Sequence, residues 1–596
     1  MACPDPRHAS NGSKIPTESY SDQPYIVRTD DGAWLCCVTT GPGEEGARGQ
    51  HVATLRSADC GRTWSAPVCV EDMDSPENSY AVMLKAPSGR VFIFYNHNTD
   101  NVREVLCHDG KGSYPRVDSL GHYVLKYSDD GGRSWSPRRY DIPVREFQCD
   151  RDNVYGGKLR FFWNVGRPFA LDGAAHLSLH KVGRMGVGFF AQSQGVLLRS
   201  PNLLTEADPA QATWETLPDG EVGLRTPPGG GPVSEEQSYS VLSDGSIYCV
   251  YRCTDGHPVC TYSRDGGHTW STPQYQCFAG GRRMKHPRAA NFAWRCNNGK
   301  YLYWFHNHGG HFVRDRAADG WFPYEDRNPA WLCGGVEADS PGGKVLLWSQ
   351  PEIAVYDDDP LVRMSYPDLI EEGGSLYITE TNKETARVHE IPPALTAGLW
   401  GQFGPPQPCR EGLLLDLPAA GAAMPAQVAM PQLPAFLARD HTRADYGLKD
   451  LRQGFTLELC LNLPTLAGGQ MLADSRDGQG AGLCMQTTGD GTAEIILSDG
   501  KTQNRWECDR GALTAGRRQW LTAIVDGGPK LILFVVDGRL CDGGEDRNFG
   551  WGRFGPHLCS VAGSETLRIG PALSALRLYG RSLTVSEARA NQLSGR

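Results

Sequence analysis

One short phrase recurs three times in this 596-residue chain, and its spacing restricts the possible fold more than any other feature. Residues 57–67 read SADCGRTWSAP, residues 128–137 read SDDGGRSWSP, and residues 263–273 read SRDGGHTWSTP. All three fit S-x-D-x-G-x-[ST]-W, with Ser57, Asp59, Gly61 and Trp64 matched by Ser128, Asp130, Gly132 and Trp135, and by Ser263, Asp265, Gly267 and Trp270. The copies start 71 and 135 residues apart. One period of about 68 residues, with one copy unmarked, accounts for both gaps and signals a repeated supersecondary unit.

The stretches between the phrases identify that unit. QPYIVRTDDGAWLCCVTTG, SYAVMLKAPSGRVFIFYNHN, RPFALDGAAHLSLHKVG, QSYSVLSDGSIYCVYRC, NFAWRCNNGKYLYWFHNH and SYPDLIEEGGSLYITETN each pair two apolar, β-rich runs across a Gly-containing turn. These read as six hairpins. Six units fill about 400 positions, and radial repetition is the closure that leaves the fewest exposed sheet edges. The expectation is an all-β chain: a six-bladed β-propeller over residues 21–404, preceded by a tail at 1–20. Each repeated phrase is then a fold-holding turn. Its Asp accepts backbone N–H groups, its Gly supplies positive φ, and its Trp packs into the blade.

GPPQPCREGLLLDLPAAGAAMPAQVAMPQLP, rich in Pro and Ala, marks a boundary. Beyond it, over 405–596, short strands such as GFTLELCLNLPT and PKLILFVVDGRLCD alternate with Gly and Asp turns, which predicts an antiparallel β-sandwich. Lys plus Arg number 59 against 69 for Asp plus Glu, a net charge of −10 with no basic block, so a nucleic-acid partner is not expected. No run of apolar residues is long enough for a membrane-spanning helix. Nineteen scattered cysteines without a C-x-x-C pair suit buried thiols in a reducing cytosol, while secretion stays open if a leader preceded this sequence.

The phrase in several copies is similar to the Asp box of the sialidase (neuraminidase) superfamily, and the chain resembles that superfamily over roughly residues 20–400. The C-terminal segment resembles laminin-G or concanavalin-like (jelly-roll) modules in its W-L-T-x-x-V-D-G run, which implies either carbohydrate binding or a packing partner. Other propellers share such boxes, so function has to come from the site. EQSYSVLSDGSIYCVYR places Glu236 sixteen residues before Arg252 across a D-G turn, as in sialidases, and RMSYPDLIEEGGSLYITET is similar to the stretch that carries their nucleophilic tyrosine. The resemblance implies Tyr366 as nucleophile and Glu236 as its base. A sialic acid bears a carboxylate on its anomeric carbon, so a neutral phenol activated by a glutamate avoids the repulsion an anionic nucleophile would meet. Read without the resemblance, Tyr366 beside Pro367 is more readily an ordinary packed aromatic with a hydrogen-bonded hydroxyl.

The acid/base implied by the resemblance falls at Glu45, with His51 or Asp22 as substitutes. Sialidases hold the substrate carboxylate with three arginines. Arg252 matches one, whereas Asp22 and Asp357 stand where the other two are expected. Arg167 and Arg288, at the leading ends of other hairpins, are candidates for a relocated clamp with Arg252. Gln23, His97 and His306 complete the polar residues expected to face substrate, and WETLPDGEVGLRTPPGGGPVS reads as a loop over the pocket. The close histidines of HNHGGH point in alternating directions on a strand end, so neither a metal nor another cofactor is expected. The leading reading is an exo-glycoside hydrolase removing a terminal sialic acid or related acidic sugar. Its alternatives are a glycosidase or polysaccharide lyase acting on another sugar such as a uronic acid, and a non-catalytic glycan-binding propeller.

Overall fold

The computed structural model of the chain describes residues 5–72, 74–108, 112–158, 163–186, 190–310, 327–418 and 422–595. The chain is nearly all β, and its paired strands run antiparallel. It divides into two compact units. The larger holds Ala9–Trp348 and Asp359–Pro393; the smaller holds Ala394–Arg596, Ser349–Asp358 and the N-terminal segment through His8.

In the larger unit, six sheets follow one another along the chain. The first is Tyr20–Arg28, Trp34–Gly41, His51–Ser57 and Val68–Cys69. The next four begin at Asn78–Lys85, Phe169–Leu171, Glu235–Val241 and Phe292–Arg295. The sixth runs Leu369–Glu372, Ser375–Thr381 and Ala386–Ile391 and takes its fourth strand, Ser13–Ile15, from near the start of the chain. Strands such as Val91–His97 (VFIFYNH) are buried along their whole length. Their β-branched and aromatic side chains pack against sheets on both faces.

The repeated phrase is a turn that joins one sheet to the sheet before it. Ser57 Oγ donates to Asp59 and accepts the Gly61 N–H at 2.9 Å, while Asp59 accepts Thr63 N–H and Oγ–H. The same bonds recur at Ser128, Asp130 and Gly132, and at Ser263, Asp265 and Gly267. Each of these glycines has positive φ and lies against the preceding sheet. A Cβ on Gly132 would meet Leu35 at 2.4 Å, one on Gly267 would meet Leu197 at 2.8 Å, and one on Gly61 would meet Val388 of the sixth sheet at 3.1 Å. The first sheet therefore packs on the sixth as the second packs on the first. Ile15, Ile26, Trp34, Cys36, Leu55, and Val388 share one apolar cluster.

The smaller unit contains two large sheets. One includes Phe455–Asn462, Arg518–Asp526, Leu531–Val536 and Leu573–Tyr579, the other Met471–Asp474, Gly482–Thr487, Ala493–Ser498 and Thr566–Ile569. Leu457, Leu459 and Leu521 of the first sheet and Leu483, Ile495 and Leu497 of the second belong to one buried cluster. A helix, Val585–Ser594, starts on a reciprocal cap between Thr584 and Glu587. Glu352 also meets that terminus, accepting the Val585 and Ser586 N–H groups at 3.0 and 2.6 Å. Among the described residues no helix is long and apolar enough to cross a membrane, and no disulfide joins the cysteines.

Candidate active site

Four sheets begin with the same backbone irregularity. The register skips between Asp22 and Tyr25, between Ser79 and Val82, and between Glu235 and Ser238, and the residue after the first of each pair is left-handed: Gln23 (φ 51°), Tyr80 (φ 58°) and Glu236 (φ 57°). Tyr366 (φ 49°) repeats this beside Ser365, which bridges Thr381 ahead of the sixth sheet. A left-handed residue in a bulge re-aims its side chain and is sustained only where surrounding structure over-determines it. The chain thus repeats one device and places glutamine, tyrosine, glutamate and again tyrosine on it.

Two of these side chains meet. Tyr366 Oη donates to Glu236 Oε1 at 2.8 Å, with both residues buried. Arg252, closing the strand Ile247–Arg252, sets its Nη1 2.8 Å from Glu236 Oε2 and donates Nε to Glu235 Oε2 at 3.0 Å. Arg288 grips the other Glu235 oxygen at 2.6 Å. Burial opposes ionisation of Glu235, but Arg288 and Arg252 outweigh it and hold that carboxyl well below its usual range. At Glu236 burial prevails over Arg252 and pushes the carboxyl up. Adjacent glutamates are thereby made unlike, one a fixed anion and the other a stronger proton acceptor.

Tyr366 lines a cavity of about 190 Å³ with Glu45, Lys383, Arg116, Trp163 and Phe190, together with Arg252, Arg288, Arg327 and Arg363, and Glu236 lies behind it. Arg327 is 3% exposed. It donates to the Arg288 carbonyl and to Ser365 Oγ, and its Nε has no hydrogen-bond partner among the described residues. Burial above all, with Arg252 and Arg363 adding to it, pulls its guanidinium below the ordinary arginine value. A buried cation whose partners are a hydroxyl and a carbonyl is suited to receive an anion.

On the opposite wall Lys383 Nζ bridges Asp22 Oδ2 at 2.6 Å and Glu45 Oε2 at 3.0 Å, and lies 4.4 Å from the centroid of the Tyr366 ring. Glu45 also receives Arg116 Nη2 at 2.6 Å, while Arg116 Nε reaches Asp118 at 2.6 Å. Burial works against the Glu45 charge, but Lys383 and Arg116 prevail and hold its carboxyl well down. Asp22 is fully buried and accepts from Tyr20 Oη and the Gln23 N–H, besides its pairing with Lys383. Burial raises the Asp22 carboxyl despite that lysine.

Of the residues the sequence nominated, Tyr366, Glu236, Arg252, Arg288, Glu45 and Asp22 lie in this neighbourhood, and Asp22 is screened from the cavity by Lys383. Arg167 does not join the clamp. It donates to the Leu369 and Ile26 carbonyls and leaves its side chain 42% exposed beside Asp368. Gln23 donates to the Asn164 carbonyl. His97 is held by Ser75 and Thr99, and His306 is stacked on His286 in the interior; neither lines the cavity. Asp357 falls in the smaller unit. Arg327 and Arg363, which the sequence did not nominate, line the cavity. The long loop also lies elsewhere: none of residues 214–234 lines the cavity, and Leu224 pairs with Gly195. His311 of HNHGGH lies outside the described residues, and among those described no His, Cys, Asp or Glu cluster suits a metal. Lys383, Arg327 and Arg363 had no motif to reveal them; the one available signal was that Arg363 stands three residues before Tyr366.

No protein-family model matches the chain, and no curated protein does. Solved structures similar to it include the NanB sialidase of Streptococcus pneumoniae (13% identity, TM-score 0.44, covering 66% of this chain and 72% of that one). A leech intramolecular trans-sialidase is similar at 12% identity and TM-score 0.45, covering 65% and 71%. A Trypanosoma rangeli sialidase is similar at 15% identity and TM-score 0.42, covering 99% and 95%.

Proposed function

We propose that the chain is a divergent sialidase-type exo-glycoside hydrolase that removes a terminal sialic acid or related acidic sugar from glycans. The observation that carries this reading is the 2.8 Å hydrogen bond from Tyr366 to Glu236 at the edge of a cavity where Arg327 has, among the described residues, no carboxylate in its hydrogen bonds. In the scaffold of this reading the six sheets close as a β-propeller, which the packing of the first sheet on the sixth supports. The smaller unit is a laminin-G or concanavalin-like sandwich, supported by the apolar cluster its two sheets share.

In the first half-reaction Tyr366 Oη bonds to the anomeric carbon as the glycosidic C–O bond breaks, and the phenol proton passes to Glu236. Arg327, Arg363 and Arg252 hold the sugar carboxylate. In the second half a water oxygen bonds to the anomeric carbon as the bond from Tyr366 Oη to that carbon breaks, Glu45 takes a water proton, and the tyrosine oxygen recovers its proton from Glu236. Paired with two cations, Glu45 is a base at rest and a weak acid, so the leaving oxygen departs best as a stable anion. Asp22 takes no proton in this scheme; it anchors Lys383.

A second reading, lyase action on a uronic acid, uses the same residues differently: the Tyr366 oxygen would remove the proton α to the carboxylate. Umbelliferyl α-sialoside and an oligosaccharide with a 4-O-linked uronic acid, whose O4 substituent is the group a lyase expels, assayed with the protein and its Tyr366→Phe variant, separate the two. Fluorescence from the sialoside that is lost in the variant, with retained anomeric configuration by proton NMR, supports the hydrolase. An unsaturated product absorbing in the near ultraviolet indicates the lyase. A Tyr366→Phe enzyme with full turnover would end both.

A further inference from the structure

We infer that Lys383 is a positioning residue for the Tyr366 nucleophile, an ammonium fixed beside the phenol ring so that negative charge forming on its oxygen is stabilised. The inference rests on the proposed hydrolase reading and names a group that neither a motif nor a resemblance supplied.

The geometry is specific. Lys383 follows the strand Ser375–Thr381, and its backbone is left-handed at φ 78°. Its N–H donates to Thr381 Oγ1 and its carbonyl accepts the Ser21 N–H at 3.0 Å. A non-glycine residue keeps such a backbone only when its surroundings enforce it. Asp22 and Glu45, both from the first sheet's side of the cavity, then hold Nζ from two directions, and the ammonium lies 4.4 Å from the Tyr366 centroid and 5.9 Å from that of Tyr20. A lysine meant only to neutralise two carboxylates would need neither the constrained backbone nor the ring.

The chemistry gives that placement a purpose. The Tyr366 hydroxyl points at Glu236, so before proton transfer the phenol faces an anion, and burial further disfavours a phenolate. When the proton moves to Glu236, the negative charge moves onto the tyrosine oxygen. A cation near the ring favours this shift. The charged groups acting on the phenol are Glu236 and Asp22, which oppose ionisation, and Lys383 and Arg252, which favour it; Arg327 in turn feels the phenol from its own side. Lys383 lies against the ring at 4.4 Å from its centroid and acts on the phenol more strongly than Arg252, so it is the cation whose removal would be felt most there.

The test uses the full chain with its tyrosines replaced by 3,5-difluorotyrosine, which brings phenol ionisation into an accessible pH range. The fluorine resonance lost in Tyr366→Phe identifies the residue, and its midpoint is followed in Lys383→Met, Lys383→Gln and Lys383→Arg. The expected result is a rise of about one to two pH units in the Met and Gln variants and a near wild-type midpoint in the Arg variant. In parallel, turnover of umbelliferyl α-sialoside should fall about 10- to 100-fold in the Met variant and recover in the Arg variant, with the thermal transition within a few degrees of wild type. An unchanged Tyr366 midpoint in both neutral variants overturns the inference, whatever the activity. A wild-type protein inert on the sialoside, with the midpoint shift present, removes the sialidase reading and leaves the role of Lys383 standing.

Discussion

Tyr366 and Glu236 begin different sheets, 130 residues apart in sequence, yet the phenol hydroxyl donates to the carboxylate at 2.8 Å because both residues occupy the same left-handed bulge position. Replacing Glu236 by Gln preserves the hydrogen bond and removes the proton acceptor. We expect turnover on an aryl sialoside to fall about a thousandfold, with little change in the unfolding midpoint. Wild-type turnover in the Gln variant would show that the bond is structural.

The double pairing of Glu45 predicts an unusual dependence on leaving group. With its carboxyl kept ionised by Lys383 and Arg116, it has no proton to give, so aryl glycosides with acidic phenols should react at least about a hundredfold faster than alkyl glycosides of the same sugar. Arg116→Met should narrow that gap by letting Glu45 hold a proton. A rate independent of leaving-group acidity over a series of aryl and alkyl glycosides would place the proton donor elsewhere.

Arg327 predicts how the cavity treats acids. Arg327→Met keeps much of the side-chain volume and removes the charge, and should weaken competitive inhibition by a free sugar acid about 100-fold while leaving inhibition by the corresponding amide nearly unchanged. Equal losses for acid and amide would mean that Arg327 supports the site without binding the carboxylate.

Glu352 predicts a pH effect on stability rather than on turnover. Burial lifts its carboxyl from an ordinary 4.5 to about 7, against the two helix N–H groups it accepts. The folded chain therefore holds this proton more tightly than the unfolded chain. The contribution is fully present below about pH 4.5 and is lost as pH rises through 7, a change of about 3 kcal/mol. Glu352→Gln should flatten the denaturant midpoint across that window, and a parallel pH dependence in wild type and variant would rule the effect out.

The repeated turns predict an order of damage. Alanine at Gly132, Gly267 or Gly61 meets strain from positive φ at all three, and steric conflict that lessens in that order. Thermal unfolding should show the largest loss for Gly132→Ala, about 2–4 kcal/mol, with turnover at low temperature unaffected.

The hairpins and the repeating turns were legible in the sequence because each depends on local pattern, alternating apolar runs and glycines at fixed offsets, and Tyr366 and Glu236 were legible only through a family resemblance. Lys383 and Arg327 were not. A lysine two residues past a strand gains its meaning from Asp22, 361 positions away, and no spacing rule records which of 59 basic residues a fold will bring to one cavity. Arg167 misled for the complementary reason. Its place at the head of a hairpin is sound, but two backbone carbonyls and Asp368 draw its guanidinium aside. Glu45 was found by counting along the chain, and only the two cations around it disclose that it rests as a base.

The strand Ser13–Ile15 lies against Ala386–Ile391 and supplies the outer edge of the sixth sheet. This segment is made before its partner, which emerges more than 370 residues later. The sixth sheet therefore cannot gain its outer strand until nearly the whole larger unit is outside. A chain in which residues 13–15 cannot pair would carry a raw sheet edge beside the very strand that leads to Lys383, so an alteration there would be felt first as self-association and only afterwards as lost chemistry.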